Sequence, residues 1–281
     1  MFDPKYKFTC VDRFLSYVKY DTQSDEESSS FPSSEKQKKL SADLAKELKK
    51  LGLKDTVMDK WGYVMATLPA NTKKKVPPIA FIAHVDTSPA VTGKNVKPII
   101  HKKYKGGDIK LPKEGRVIKV SENPDLKNMK GFDIITTDGS TLLGADNKAG
   151  VAEIMDAVNY LLKHPEVKHG PIKICFTPDE EVGRGTEKID LKKLGAKYAY
   201  TVDGSSRGEV ESETFSADMV VLKFIGKNIH PGYAKNQMIN SIKIAAAFME
   251  SLPKKFLSPE TTEKRQGYVH CTTINGLEEF T

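Results

Sequence analysis

Hydrophobic residues follow two kinds of spacing along the 281-residue chain, and each kind predicts a different element. Where they recur three and four positions apart, the spacing predicts helices at residues 11–20, 35–51, 151–162 and 241–252. Short continuous or alternating runs predict strands at residues 79–83, 134–137, 172–176, 198–202, 220–225 and 268–274. Strands that alternate with helices are typical of an α/β fold, here with a mostly parallel sheet flanked by helices.

Residues around these runs predict where some elements and domains end. Ser34 is expected to cap the start of the second helix, and Gly52 to end it. After residue 203 the regular alternation of strands and helices changes. We therefore expect two domains, residues 1–210 and a smaller α+β domain at residues 211–281.

Composition and charge narrow the function classes. The chain carries 44 Lys and Arg against 37 Asp and Glu, but acids are interleaved with the lysines and no aromatic–basic stripe occurs. We therefore expect neither nucleic acid nor a membrane as a partner. No apolar run approaches the roughly 20 residues of a membrane span, and Met1–Asp12 lacks the apolar stretch of a signal peptide. Three separated cysteines without a CxxC pair predict reduced thiols, and so a cytoplasmic location.

Side chains that can bind a metal come shortly after several of the predicted strands. His84 follows the first of them, and Asp146, Glu180–Glu181 and Asp203 follow others. Since ligands of open α/β sheets bind outside the carboxyl ends of the strands, we expect these side chains to converge there. Each alone has a plainer explanation: a helix cap for Asp146, a solvated loop for the two glutamates, and a turn for Asp203.

Two histidines have specific alternatives. His84 and Asp86 are two apart in extended backbone, so their side chains point the same way. Asp86 can accept a hydrogen bond from one ring nitrogen of His84 while the other nitrogen binds a metal; the alternative is that the two only pair with each other. His230 precedes Pro231-Gly232 and could reach a substrate carbonyl, but its spacing alone favours a loop histidine.

One histidine and several carboxylates, without a cysteine, suit Zn²⁺, with Co²⁺ or Mn²⁺ as substitutes. If Asp146 bridges two ions, these would lie about 3.5–4 Å apart. Of two adjacent glutamates with diverging side chains, one can bind metal. The other can take a proton from a metal-activated water and deliver it to a leaving amine. The pattern predicts metal-assisted hydrolysis.

Five runs of residues, taken in order, resemble the M20 metallopeptidases, and in particular a tripeptide-cleaving branch of that family. They are HVDTSP from His84, TLLGAD ending at Asp146, TPDEEVG from Thr177, YTVDG from Tyr200 and HPG from His230. The resemblance covers essentially the whole chain. It implies that residues 1–210 are the N-terminal portion of a zinc-exopeptidase-like catalytic domain, and that residues 211–281 are a partial lid or dimerisation domain.

The resemblance also implies which residues hold metal. His84, Asp146 and Asp203 would bind the first of two zinc ions. Asp146 would bridge to the second zinc, which Glu181 also binds.

Roles in catalysis and assembly follow from the same resemblance. Asp86 would orient His84, and Glu180 would be the general base and acid for a zinc-activated hydroxide. His230 would contact substrate bound in the partner subunit of a homodimer. The implied activity is release of the N-terminal residue from small peptides, namely tripeptides, in the cytoplasm.

Three features depart from the M20 pattern. Asn147 stands where the family has a second aspartate, and Ala90 where an acid follows Ser-Pro. The sequence ends at Thr281 within the implied lid, whereas the family's chain returns to the catalytic domain and supplies a histidine to the second zinc. His270 falls within a predicted lid strand and is not that ligand. We therefore expect residues 1–281 alone to bind at most one metal tightly and to show little peptidase activity.

Two other functions are left open by the sequence. A related M20 activity, such as a dipeptidase or an N-acyl-amino-acid deacylase, would use the same metal chemistry with a different pocket. A non-catalytic metal- or peptide-binding fragment is the alternative outside enzymes, although a mere binder would not need Glu180.

Overall fold

A computed structural model describes residues 3–204 and 208–279 of the chain. The chain forms two compact units, Met1–Val210 and Glu211–Thr281. Among the described residues, no helix combines the length and the apolar character that crossing a membrane requires.

Helices and strands alternate in the described part of the first unit. The helices are α1 (Cys10–Tyr17), α2 (Gln37–Lys50), α3 (Ala145–Lys163) and α4 (Leu191–Leu194), with a 3-10 helix at Pro124–Met129. The strands are β1 (Val57–Met58), β2 (Val64–Leu68), β3 (Ile79–His84), β4 (Ile99–His101), β5 (Ile109–Lys110), β6 (Val117–Ile118), β7 (Ile134–Thr136), β8 (Ile172–Thr177) and β9 (Tyr198–Thr201).

The central sheet has five strands in the order β1-β2-β8-β3-β9. β3 lies between β8 and β9 and is parallel to both, with Ile79 opposite Ile172 on one side and Tyr198 on the other. β2 pairs with β8 in the antiparallel direction, and β1 with β2 likewise. The predicted α/β fold is confirmed, and the three parallel strands are the part of the sheet whose carboxyl ends meet at one edge.

The helices cover the sheet with the apolar faces that their spacing predicts. Leu40, Leu44 and Leu48 of α2 are fully buried, as are Val151 and Met155 of α3. These side chains form one core cluster with residues of β2, β3 and β8. Burying each side chain of this size stabilises the fold by roughly 1.5–3 kcal/mol, so the core holds the strand ends in a fixed arrangement.

The structure differs from two predictions for this unit. Helix α2 begins at Gln37, because the Ser34 hydroxyl donates to the Gln23 carbonyl at 2.6 Å and does not cap the helix. Gly52 follows the helix with a φ of +103°, as predicted for its end. The run at residues 134–137 does form strand β7, but in the described part of the chain β7 pairs with β4 alone, in a separate two-stranded sheet. Its two isoleucines are half-buried there, so this short apolar run satisfies its burial outside the central sheet.

In the second unit, the described residues form one α-helix, α5 (Ser241–Ser251), which confirms the helix predicted there. Short 3-10 helices span Pro231–Tyr233 and Pro259–Thr261. The strands predicted at 220–225 and 268–274 are wrong for residues 208–279, where only isolated bridges occur. Val220 and Val221 are 74% and 82% exposed, and no strand within residues 3–204 and 208–279 pairs with this segment.

Candidate metal centre

The parallel strands bring the predicted ligands to one edge of the sheet. β3 ends at His84, which lies opposite the last residue of β8. The loop after β8 carries Glu180 and Glu181, and Asp203 follows β9. Asp146 comes from the start of α3, where its backbone angles (φ −80°, ψ 108°) are not helical. Residues more than 100 positions apart in the chain therefore share this edge.

The His84 ring lies at the middle of this group and is 2% exposed. Its Nε2 lies 2.8 Å from Asp146 Oδ1. The same nitrogen lies 3.7 Å from Glu180 Oε2 and 3.7 Å from Asp203 Oδ2. One imidazole nitrogen thus faces three carboxylates from three different elements.

Two overlapping sets of side chains have the spacing of metal ligands. One set is His84, Asp146 and Glu181, and the other is His84, Glu180 and Asp203; in each, the ligand atoms lie within 4.8 Å of one another. Both sets contain His84, so any ion in either set would depend on this residue. All five predicted strand-edge ligand candidates are brought together.

Asp86 is completely buried and lies on the Nδ1 side of the His84 ring, away from the other carboxylates. The His84 Nδ1 lies 3.2 Å from Asp86 Oδ1 and 3.1 Å from the Asp86 carbonyl oxygen. The two carboxylate oxygens also accept hydrogen bonds from the backbone N–H groups of Glu180 and Glu181, each at 3.1 Å. Asp86 therefore contacts the imidazole and also accepts hydrogen bonds from the backbone of both glutamates, which the sequence did not indicate; its role in orienting His84 for a metal stays a prediction.

The charges of the site raise the pKa of His84 to about 9. Burial by itself lowers this pKa, but the hydrogen bond and charge of Asp86, together with the charges of Asp203 and Glu180, outweigh it. Without a metal, the imidazole is therefore protonated at neutral pH and acts as the cation of the site.

The pKa values of three acids of the site are also raised, which for an acid favours the neutral form. Burial, followed by the charge of Asp146, raises the pKa of Glu181 to about 6. Burial also raises the pKa of Glu180 and of Asp203, with the His84 charge opposing and the neighbouring carboxylates adding to the rise. Crowded carboxylates of this kind are stabilised by a cation between them.

This donor set fits a divalent metal. One imidazole and four carboxylates suit Zn²⁺, and also Co²⁺ or Mn²⁺. The buried Asp86 behind His84 is the carboxylate partner that metal-ligating histidines commonly have, and it would keep Nε2 free for the ion.

Two polar residues beside the site were not singled out from the sequence. Lys148 is 1% exposed and its Nζ donates to the Tyr20 carbonyl at 2.8 Å. Burial lowers the pKa of Lys148 to about 8, although the charges of Asp21 and Asp86 oppose this. Asp179, directly before the glutamates, is completely buried. In the sequence, only the run of three acids pointed to Asp179, and nothing in the polar stretch around Lys148 indicated that this lysine is buried.

Replacing Lys148 by methionine is expected to change how stability depends on pH. The lysine has a pKa of about 8 when folded and 10.5 otherwise, so between these values the unfolded state binds more protons. Wild-type stability should therefore rise relative to the variant by about 2–3 kcal/mol from pH 7 to pH 10. Urea unfolding of both proteins in chelator measures this, with Lys192→Met on the surface as control. A difference between the two proteins that stays constant over this range would contradict the expectation.

His230 belongs to the second unit. Its Nδ1 accepts a hydrogen bond from the Gly232 N–H at 3.1 Å, and its ring lies 5.8 Å from that of Tyr233. This local contact is the one expected of a loop histidine before a turn, and a role in substrate binding stays a prediction.

Comparison with known proteins gives close relatives over nearly the whole chain. The chain is 52% identical over 272 residues to a peptidase T of Geobacillus thermodenitrificans, and 53% identical over 272 residues to a peptidase T of Caldanaerobacter subterraneus. Each match covers 96% of this chain and 66% of the relative. The chain thus spans just under two thirds of the length of the relatives it matches.

A family model and solved structures agree with these matches. Residues 212–277 match the M20 peptidase dimerisation domain. The aminopeptidase PepT from Bacillus cereus superposes with a TM-score of 0.55 at 26% identity, over 87% of this chain and 56% of that one. A Staphylococcus aureus tripeptidase superposes with a TM-score of 0.60 at 22% identity, over 96% and 62%, and supports the fold. The chain belongs to the M20 peptidase family.

Proposed function

We propose that these residues form the metal-binding portion of an aminopeptidase that releases the N-terminal residue from tripeptides. The observation that carries the proposal is the convergence of one buried imidazole and four carboxylates at the edge of the parallel strands. The relatives named peptidase T, and the solved PepT, support the reaction class.

The proposed metal content is two zinc ions. His84, Asp146 and Asp203 would hold one ion, and Asp146 and Glu181 would hold the other. Bound there, the ions would polarise the scissile carbonyl and make a water nucleophilic near neutral pH. Asp146 suits a shared position because it contacts His84 Nε2 while its side chain is 73% exposed.

Glu180 is the proposed proton carrier. Its carboxylate lies beside the ligands, 3.7 Å from His84 Nε2, and its side chain is 53% exposed, so it is open to substrate. Because burial raises its pKa, Glu180 holds a proton more readily once it has taken one from the attacking water. It would then donate that proton to the leaving amine, while Asp86 holds its backbone N–H.

The remaining parts of the proposal concern assembly and location. The second unit would serve as a lid and dimerisation domain of a homodimer, supported by the family match at residues 212–277. His230 would contact substrate bound by the partner subunit. The cysteines Cys10, Cys175 and Cys271 are all free, which agrees with a cytoplasmic location.

The activity is tested with a panel of dipeptides, tripeptides and N-acylated amino acids after loading with Zn²⁺. The assay uses residues 1–281 and also a chimera in which these residues are followed by the C-terminal third of the Geobacillus thermodenitrificans relative. The proposal is supported if the N-terminal residue is released from the tripeptides but not from the other substrates of the panel. Cleavage of dipeptides or acylated substrates instead would favour another M20 activity. Metal binding without any cleavage by the chimera would favour a non-catalytic binder.

Metal affinity is expected to rise with pH, because the ion must displace a proton from His84. Since the pKa of His84 is about 9 and that of Glu181 about 6, one proton should be released per ion near pH 7.5. The apparent association constant should therefore rise about tenfold per pH unit between pH 7 and 8.5. Chelator competition with Co²⁺ measures the slope. An affinity that is independent of pH in this range would show that His84 is not a ligand.

A further inference from the structure

The loop that carries the two glutamates is attached to the protein through a buried carboxylate. Asp179 has no exposed surface, and its φ of +56° lies in the left-handed region, which is uncommon for a residue with a side chain. It sits between the end of β8 and Glu180. A fully buried acid in this backbone conformation needs partners that hold it there.

Those partners are neutral donors just before and at the start of α2. Asp179 Oδ2 accepts from the Ser33 backbone N–H at 2.6 Å. Asp179 Oδ1 accepts from the Ser33 hydroxyl at 2.5 Å and from Gln37 Nε2 at 2.6 Å. In return, the Asp179 N–H donates to Gln37 Oε1 at 3.1 Å. Four hydrogen bonds thus join the loop to a segment more than 140 positions away in the chain.

The same loop is held from its other side by Asp86. The N–H of Asp179 bonds to Gln37, and the next two N–H groups, of Glu180 and Glu181, bond to the Asp86 carboxylate. Three consecutive backbone donors therefore end on side chains of two different elements. The direction in which each glutamate side chain leaves the backbone is fixed by these two anchors together.

We propose that Asp179, with Ser33 and Gln37, is a positioning element for Glu180 and Glu181. It acts through the backbone and does not touch substrate or metal. Its effect on metal binding follows from the geometry of Glu181, whereas its effect on proton transfer through Glu180 rests on the function proposed above. Pre-organised ligands bind more tightly because the cost of ordering them is met on folding.

The matched comparison is between Asp179→Asn and Asp156→Asn. Asp156 is a buried acid on α3. Its Oδ1 accepts hydrogen bonds from the N–H and the hydroxyl of Thr9 and from the Tyr6 hydroxyl. Asp179→Asn puts an amide NH2 where a carboxylate oxygen accepted a hydrogen bond, because donors reach both oxygens of Asp179. Asp156→Asn can keep its three donors on the one oxygen that accepts them, so it controls for the loss of a buried carboxylate charge, and the urea midpoint of each metal-free protein is measured alongside. Only Asp179→Asn lies beside the proposed ligands.

The test is a Co²⁺ titration of residues 1–281 followed by visible absorption at saturation. We expect Asp179→Asn to weaken Co²⁺ binding by about 10–100-fold, the range for residues that orient ligands, and to change the spectrum. Asp156→Asn should keep both wild-type affinity and wild-type spectrum. If the two variants bind Co²⁺ alike and with the same spectrum, Asp179 has only a structural role and the proposal fails.

A milder variant guards against misfolding. Ser33→Ala removes the hydroxyl bond to Oδ1 and keeps the N–H bond to Oδ2. It should weaken Co²⁺ binding severalfold, and unchanged affinity would overturn the proposal even if Asp179→Asn does not fold. Because metal binding is read without substrate, an absence of peptidase activity in the chimera would overturn the proposed function and leave this test intact.

Discussion

Glu180→Gln is expected to lower kcat for tripeptide cleavage by about 10²–10⁴-fold in the chimera, with zinc content unchanged. The amide has the size of the carboxylate but cannot accept a proton from water, and general acid–base catalysis contributes a factor of this size. The backbone N–H bond from residue 180 to Asp86 does not depend on the side chain, so the loop should keep its place. Steady-state kinetics and metal analysis of the same preparation measure both quantities.

The control for this substitution lies in the same loop. Glu187 pairs with Arg184 on the surface, 3.2 Å from its Nε, and Glu187→Gln should leave kcat within twofold of wild type. Loss of zinc in Glu180→Gln in proportion to activity would instead make Glu180 a ligand. That outcome is a real alternative, because Glu180 and Asp203 both lie 3.7 Å from His84 Nε2. Turnover that survives the substitution would exclude Glu180 as the proton carrier.

The convergence of the site could be predicted from the sequence because each part of the signal is local. His84, the glutamate pair and Asp203 each follow an apolar run, and parallel strands place their carboxyl ends at one edge. The i, i+2 spacing of His84 and Asp86 likewise gave their contact without knowledge of the rest of the fold. Where the geometry depends on two or three neighbouring residues, sequence reasoning was sufficient.

Contacts between distant loops could not be predicted in this way. Nothing in the residues around Asp179 indicates that Ser33 will receive its carboxylate, since their meeting depends on how α2 packs against the sheet. The same limit explains Ser34, whose hydroxyl bonds to the Gln23 carbonyl instead of capping α2. The nearly continuous apolar run at 220–225 can form a strand only if a neighbouring strand is present to pair with it, and the residues of the segment itself do not show whether one is.

The second large effect is expected from His84→Ala, which should remove tight metal binding altogether. Both candidate ligand sets contain His84, so no set of three remains among residues 3–204 and 208–279. Residues that only orient a ligand cost 10–100-fold in affinity when lost, and loss of the shared ligand should exceed about 100-fold.

His84→Ala should also lower the stability of the metal-free protein. Asp86, with no exposed surface, would lose the imidazole that carries the positive charge beside it. Breaking a buried ion pair on one side is destabilising, typically by about 3–5 kcal/mol. Because the folded pKa of His84 is raised from 6.5 to about 9, its stabilising contribution is complete below pH 6.5 and disappears as the pH rises through 9. The stability difference between wild type and His84→Ala should therefore be larger at pH 6 than at pH 9.5.

His101→Ala is the matched control for both readouts. His101 also ends a strand, β4, and its Nε2 lies 2.9 Å from the Thr136 hydroxyl, outside both ligand sets. Its removal should leave Co²⁺ affinity at the wild-type value. If His84→Ala and His101→Ala bind Co²⁺ equally well, the imidazole is not a ligand, and the acids at this edge would have to hold the ion without it. Four carboxylates from three segments of the chain, three of them with a raised pKa, would then remain as the donor set. An all-oxygen set favours Mg²⁺, Ca²⁺ or Mn²⁺ over Zn²⁺. In that case, titrations of the protein with these ions would show tighter binding of Mg²⁺, Ca²⁺ or Mn²⁺ than of Zn²⁺.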